Sequence, residues 1–243
     1  GTSRRGAQTS QQGFSLLHLD VTSDESVAAV VKELLRLEGR IDLLVNNAGF
    51  GVAPGAAEES SMEQARAIFE TNFFGLVRMT RAVVPHMRQQ GSGRIINISS
   101  VLGLLPMPYG ALYAATKHAV EGYSESIDHE LRTRGIRVCL VEPAYTKTEF
   151  DANMLQPDAK LEEHSAVRRA IHERFPELLA KGDEPDVVAA VVVQAARDDN
   201  PKIRYPAGGK ARGLSLLRRF APAAMLDAGI RRDLQLDKPA DPA

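Results

Sequence analysis

Short apolar runs rich in β-branched residues alternate along this chain with longer stretches of helical periodicity, and that alternation limits the fold more than any other feature. Residues 14–19 read as a strand. Ser23 then stands as an N-cap ahead of an amphipathic helix that runs to about Glu38 and stops at Gly39. Residues 41–45 form a second strand, with the apolar density of a central parallel one. A long helix over 62–90 follows, then a strand at 94–98. A helix over 111–134 is halted by Gly135, and a strand at 136–141 is ended by Pro143. Strand–helix–strand order, repeated with right-handed crossovers, builds a parallel sheet covered by helices on both faces. The expected class is α/β, a doubly wound Rossmann-like sheet with its ligand at the carboxyl ends of the strands.

Beyond Pro143 the pattern loosens. Residues 157–181 are charged and helical, and Pro185 opens a helix over 186–197. A strand-like run at 202–205 precedes a Gly-rich turn. Residues 214–236 read as one helical tail with several arginines, and 238–243 as a frayed end. There is no internal repeat, and 243 residues fit a single domain over 1–243. With 30 basic and 31 acidic residues the net charge is −1, which gives no electrostatic case for nucleic-acid binding. The one cysteine, Cys139, lies in an apolar run and reads as a buried strand residue; it excludes an internal disulfide and a Cys-rich zinc site. No stretch approaches the ~20 apolar residues of a membrane span, so a soluble, cytoplasmic protein is expected.

The chemistry concentrates in Tyr113-Ala114-Ala115-Thr116-Lys117, on a helix, preceded by Asn97-Ile98-Ser99-Ser100 at the end of a strand. Spacing of i,i+4 puts Tyr113 and Lys117 on one helical face. A phenol near pKa 10 is a poor acid–base group at neutral pH, and an adjacent ammonium favours its phenolate. Tyr113 can then give a proton to a carbonyl or take one from an alcohol, while a serine hydroxyl at the neighbouring strand end polarises the same oxygen. A Tyr-x-x-x-Lys pair alone is also common on exposed helices.

Asn46-Asn47-Ala48-Gly49 after a buried strand resembles the NNAG motif of the short-chain dehydrogenase/reductase family. Asn72-Phe73-Phe74-Gly75 resembles its N-x-x-G segment, and Ser100, Tyr113 and Lys117 fall at its catalytic spacing. The run from Pro143 to Thr148 resembles the Pro-Gly segment after the sixth strand, with Ala144 in place of glycine. Asp20-Val21 resembles the pair that meets the adenine. These matches run in family order from residue 20 to residue 148.

The resemblance implies an oxidoreductase moving hydride between NAD(P)H and a carbonyl or alcohol substrate, expected to be small to medium in size and apolar. It makes Tyr113 the acid/base, has Ser100 position the substrate oxygen, has Lys117 hold the ribose and tune Tyr113, and has Asn72 complete a proton relay. Ser100 is preferred to Ser99 because it precedes Tyr113 by the family interval, and Tyr109 is assigned packing or substrate contact. Asp20, Val21, Asn47, Ala48, Gly49, Tyr113, Lys117, Pro143, Thr146 and Thr148 are implied cofactor contacts. Residues 150–181 take the substrate-loop position, where Phe150, Met154, Leu155, Leu161, Phe175 and Leu178 could line an apolar pocket or bury a helix. Residues 210–243 form the tail, nearer to the longer endings of hydroxysteroid- and retinol-type relatives. The helices over 62–90 and 111–134 are the faces of a homodimer or homotetramer in relatives.

The opening Gly1-Thr2-Ser3-Arg4-Arg5-Gly6 resembles the end of the family's second strand, so the first βαβ unit, on the order of 30 residues, is expected to be absent together with its Gly-rich cofactor turn. Gly49-Phe50-Gly51 is a poor substitute, because Pro54 and residues 58–61 delay the next helix. A truncated form that binds cofactor weakly is therefore expected. Arg4 and Arg5 sit where the family reads the adenosine ribose and would suit a 2′-phosphate, which favours NADP(H) over NAD(H). The alternative is a catalytically silent binding or assembly module. An epimerase or dehydratase relative would need a longer C-terminal domain. The six histidines are scattered without a H-x-x-x-H or HExxH pattern, so no metal is expected. The arginine-bearing tail could lie on a membrane surface, or pack on its own domain or a partner.

Overall fold

The computed structural model describes residues 1–4, 8–9, 14–150, 153–234 and 236. Three short strands open the chain: β1 (Thr2–Ser3), β2 (Gln8–Thr9) and β3 (Ser15–His18), followed by α1 (Asp24–Glu38) and β4 (Leu43–Asn46). The middle holds α2 (Met62–Phe69), α3 (Gly75–Gln90), β5 (Gly93–Ile98), α4 (Ala111–Arg132) and β6 (Ile136–Pro143). Last come α5 (Ser165–Ala180), α6 (Pro185–Arg197), β7 (Arg204–Ala207), α7 (Gly208–Phe220) and α8 (Ala223–Asp233). Strands β4-β5-β6-β7 make a wholly parallel sheet in that order. A smaller sheet has the order β1-β3-β2, with β1 parallel and β2 antiparallel to β3. Thr2–Ser3 of the opening segment is thus a strand paired with β3, while β2 had no signal in the sequence.

Period-two alternation divides the core between the faces of the parallel sheet. Ile95 and Val138 point to one side with Val27, Val30 and Val31 of α1, Met79 and Val83 of α3 and Ile127 of α4. Their neighbours Ile96, Cys139 and Val141 point to the other, against Val191 and Ala195 of α6. Full burial of each such side chain stabilises by about 2 kcal/mol, an upper figure because the unfolded chain already hides part of it. The first cluster also contains Leu19 beside Ile41 and Leu44, so α1 and α3 join the two sheets into one core. Cys139 is fully buried, and burial pushes its thiol up to about 11, as befits an inert strand residue.

Capping follows the sequence closely at α1. The Ser23 hydroxyl accepts from Ser26 N–H, and Gly39 closes the helix in the left-handed region at φ 72°. Elsewhere the structure corrects the reading. The helix expected over 62–90 is α2 and α3 joined by a π turn at Glu70–Phe74. The tail expected as one helix over 214–236 begins at Gly208 and is broken between α7 and α8, where Pro222 cannot continue the α7 ladder. Gly208 is required there: its φ is 88°, and a Cβ would lie 2.1 Å from Asp183 Oδ2. The strand read at 202–205 is β7 two residues later, paired in parallel with β6.

Candidate active site

Strands β4, β5 and β6 end on one cavity of about 950 Å³. At the end of β5 the backbone of Ser99 donates to Val141 O at 2.8 Å, which prolongs the ladder to the point where the chain must turn. Ser100 caps that turn: its Oγ accepts from Leu102 N at 3.1 Å and lies 3.5 Å from Pro143 O. Both serines are buried and both line the cavity. Across from them, α4 presents Tyr113 and Lys117 one turn apart, with Lys117 Nζ 5.5 Å from the Tyr113 ring centre. The lysine is 7% exposed and donates to Ile98 O at 2.8 Å. Burial pulls its ammonium down to about 8, against the opposing pull of Glu121 one turn further along α4. A lysine in that range keeps its cation at neutral pH and gives it up in mild alkali.

Asn47, Gly49, Pro143, Thr146 and Thr148 also lie on the cavity lining with Ser100, Tyr113 and Lys117. Asn72 does not. It is buried in the π turn, where Oδ1 accepts from Phe50 N at 3.0 Å and Nδ2 donates to Phe50 O at 2.8 Å and to Thr116 Oγ1 at 3.3 Å. Its amide pins the loop after β4 to α4, and the extra residue of a π turn is a common way to aim one side chain at a site. Ala48 is exposed beside the lining. Arg4, Asp20 and Val21 stand apart from the cavity at the carboxyl end of β1 and β3. There the Asp20 carboxylate accepts from Thr22 N and Oγ1, which holds it below the usual range, with Arg4 adding a smaller pull. Val21 packs under Gly75, where a Cβ would come within 2.7 Å of its Cγ2. Arg5 lies outside the described residues.

Sequence reasoning missed an acidic cluster behind Lys117. Glu121 and Glu142 are both buried and both bonded to Nη1 of Arg204, the latter at 2.7 Å; Arg204 also meets Glu125 on the surface side. Glu121 Oε1 and Glu142 Oε2 are buried without a well-formed hydrogen bond among the described residues, as is Ser99 Oγ. Burial pushes the Glu121 carboxyl up to about 7, opposed by Ser99 and Arg204 and assisted by Glu142 and Glu125. The i,i+4 spacing of Lys117 and Glu121 was available as a signal; the approach of Arg204 from β7 was not.

The far side of the cavity is apolar. Phe150, Met154, Phe175 and Leu178 line it, as the pocket alternative required, whereas Leu155 and Leu161 are 44% and 36% exposed. Leu214 and Leu217 of α7 and Met225, Leu226 and Ile230 of α8 complete the wall. Tyr145, which the sequence reading passed over, lines it with Lys210 Nζ 4.8 Å from its ring and Phe175 edge-on at 6.1 Å. Tyr109 lines it too, held at φ 61° with its carbonyl accepting from Gly55 N at 2.9 Å. The wall is strapped to the loop after β4: Leu155 N donates to Gly51 O, Ala53 N to Leu155 O, and Ser61 to Asp158. Glu59, fully buried, is the clasp, accepting from Ala56 N, Leu161 N and the Arg168 guanidinium. Burial raises its carboxyl, but those three partners more than offset it and hold it below the usual carboxylate range.

For a nicotinamide cofactor, the donor set fits the ribose and nicotinamide half: one ammonium, two hydroxyls and the open loop of Asn47 and Gly49 meet at the strand ends. Gly49-Phe50-Gly51 is followed by a bridge at Val52 and by no α-helix before Met62, so it is not a phosphate loop at a helix N-terminus. Among the described residues, Glu58, Glu163 and His164 bring ligand atoms within 4.8 Å of one another, with His164 Nε2 2.8 Å from Glu58 Oε1.

Comparison with known proteins agrees with this geometry. A family model described as short chain dehydrogenase matches residues 3–159. An uncharacterized oxidoreductase of Schizosaccharomyces pombe is 36% identical over 190 residues, 78% of this chain and 80% of that protein. The 3-ketodihydrosphingosine reductase of Bacteroides thetaiotaomicron is 43% identical over 153 residues, 63% of this chain and 56% of that protein. Among solved structures, a short chain dehydrogenase/reductase of Burkholderia phymatum in complex with NAD superposes with a TM-score of 0.69 at 26% identity, covering 94% of this chain and 79% of that one. ElxO with NADP bound gives 0.63 at 29% identity, covering 79% and 77%.

Proposed function

The chain belongs to the short chain dehydrogenase family, and on that premise we propose that it is an NADP(H)-dependent carbonyl reductase or alcohol dehydrogenase acting on an apolar substrate. One observation carries the reading: Tyr113 and Lys117, a turn apart on α4, face the same cavity as Ser100 at the end of β5. The cofactor, when bound, supplies or takes up the hydride. The protein's own part is proton transfer and positioning. Ser100 donates to the substrate oxygen, Tyr113 delivers or accepts the proton at its phenolic oxygen, and the Lys117 cation favours the phenolate. Lys117, Asn47, Gly49, Thr146 and Thr148 hold the nicotinamide ribose. Asn72 pins the loop after β4 against α4 and completes the proton relay.

The apolar wall supports an apolar substrate, and so does the likeness to a 3-ketodihydrosphingosine reductase. Arg4, exposed beside Asp20, supports the 2′-phosphate of NADP(H). Assembly as a homodimer or homotetramer through α3 and α4, in the cytoplasm, completes the reading. The test is cofactor oxidation with NADPH and with NADH, over ketones of rising chain length. Turnover that favours NADPH and long chains is expected. Preference for NADH overturns the cofactor choice. Cofactor binding without turnover of any carbonyl or alcohol overturns the enzyme in favour of a silent module.

A further inference from the structure

Two residues of the apolar wall are also surface residues. Leu217 of α7 is 40% exposed and Met225 of α8 is 53% exposed, so the cavity has a mouth between these helices. Just outside it α7 turns Leu216 and Phe220 to solvent, 59% and 73% exposed and one turn apart on the same face. Arg212, four residues before Leu216, and Arg219, three after it, flank that stripe, and the Arg219 guanidinium lies 5.4 Å from the Phe220 ring centre. A chain of net charge −1 places six exposed basic side chains on α7 and α8, against only Asp227 and Asp233. Apolar side chains at the centre and basic ones along the edge are what an interfacial helix needs on a lipid headgroup layer.

We propose that the α7–α8 face docks on an anionic lipid surface and sets the cavity mouth against it. Leu216 and Phe220 enter the headgroup–acyl boundary while Arg212 and Arg219 meet lipid phosphates. No helix among the described residues is long and apolar enough to cross a membrane, so the attachment lies in the plane of the interface. A second copy of the chain is the poorer occupant: a two-fold contact sets this patch on itself, arginines against arginines. A substrate dissolved in the acyl layer reaches the cavity past Leu217 and Met225 without crossing water. That delivery step rests on the reductase reading; the docking does not.

The experiment is sedimentation of the 243-residue chain with phosphatidylcholine vesicles, with and without phosphatidylserine, beside light scattering without vesicles. Binding to the phosphatidylserine vesicles is expected, weaker on phosphatidylcholine alone and released by salt. L216S/F220S should weaken it at least about tenfold, with circular dichroism and mass unchanged. R212S/R219S should weaken binding by about fivefold per arginine on the anionic vesicles only. Absence of binding to phosphatidylserine vesicles overturns the proposal. So does an L216S/F220S variant that binds as before, or one that loses a dimer while vesicle binding stays the same. A chain that binds vesicles yet reduces no carbonyl keeps the docking and removes the reductase; one that reduces a water-soluble ketone and ignores vesicles does the reverse.

Discussion

Along one wall of the cavity Ser100, Tyr113 and Lys117 hang from a strand end and a single helix, each seated in hydrogen bonds or against a neighbouring ring; along the other, Leu214, Leu226 and Ile230 reach in from α7 and α8 with no polar tie at all. The first wall is defined by direction. A hydroxyl and an ammonium must point within about half an ångström to be useful, so they sit on the rigid ends of sheet and helix. The second is defined by volume and by exclusion of water, and many apolar sets of similar size would serve. Substitutions should therefore act on chemistry at the first wall and on substrate choice at the second.

The largest expected effect tests the first wall. Tyr113→Phe removes the proton donor and keeps the ring, so turnover should fall by about 10²–10⁴-fold with cofactor binding retained. Steady-state kinetics and a fluorescence titration check both halves; wild-type turnover in the variant would end the assignment. Leu214→Asp should act on the second wall only. We expect a loss of about 10–200-fold in kcat/KM for a long apolar ketone and little change for a short one. Equal losses for both would mean that the walls are not separable.

How far each wall could be read in the sequence follows from the same contrast. That Tyr113 and Lys117 share one face was legible because one helix turn fixes their relation, whereas Ser100 was singled out from Ser99 by the family interval alone. Gly39, Gly135 and Pro143 marked element ends through backbone constraints that need no partner. The clasp was not legible: Glu59 and Arg168 are 109 residues apart, and nothing local marks Glu59 as a buried acid rather than part of a polar loop. The π turn at Glu70–Phe74 has no marker in the local sequence, and the partner of its buried Asn72, Phe50, lies 22 residues away. Pro222, which splits the tail, was in plain view and was outweighed by the apolar periodicity on either side.

The clasp gives a third, smaller prediction, on the strap that joins the walls. Glu59 is held below the usual carboxylate range, so its contribution to stability is complete above its unfolded value and is lost as pH falls through the lower folded one. Wild-type melting temperature should therefore drop in acid, below about pH 4, more steeply than that of Glu59→Gln. At neutral pH the variant should be the less stable by about 1–3 kcal/mol, since a buried set of donors loses its charged acceptor. Parallel pH curves for the two proteins would count against the clasp.

The smallest effect probes how the first wall is tuned. Five groups surround Glu121: Lys117 and Glu125 on α4, Glu142 from β6, Arg204 from β7 and Ser99 at the end of β5. Its carboxyl titrates at about 7 and Lys117 at about 8, so Glu121 acquires its charge just before the lysine would release a proton. That new negative charge supports the ammonium. Glu121→Gln removes it, and the alkaline limb of kcat/KM should move to lower pH by up to about one unit, or ~1.4 kcal/mol. The stability trend runs the opposite way. A carboxyl raised in the folded state costs stability as pH climbs from its unfolded value to about 7, so the glutamine variant should be the more stable at pH 8. An alkaline limb that stays in place while stability rises would show that the cluster shapes only the fold; one that moves to higher pH would reverse the sign assigned to Glu121.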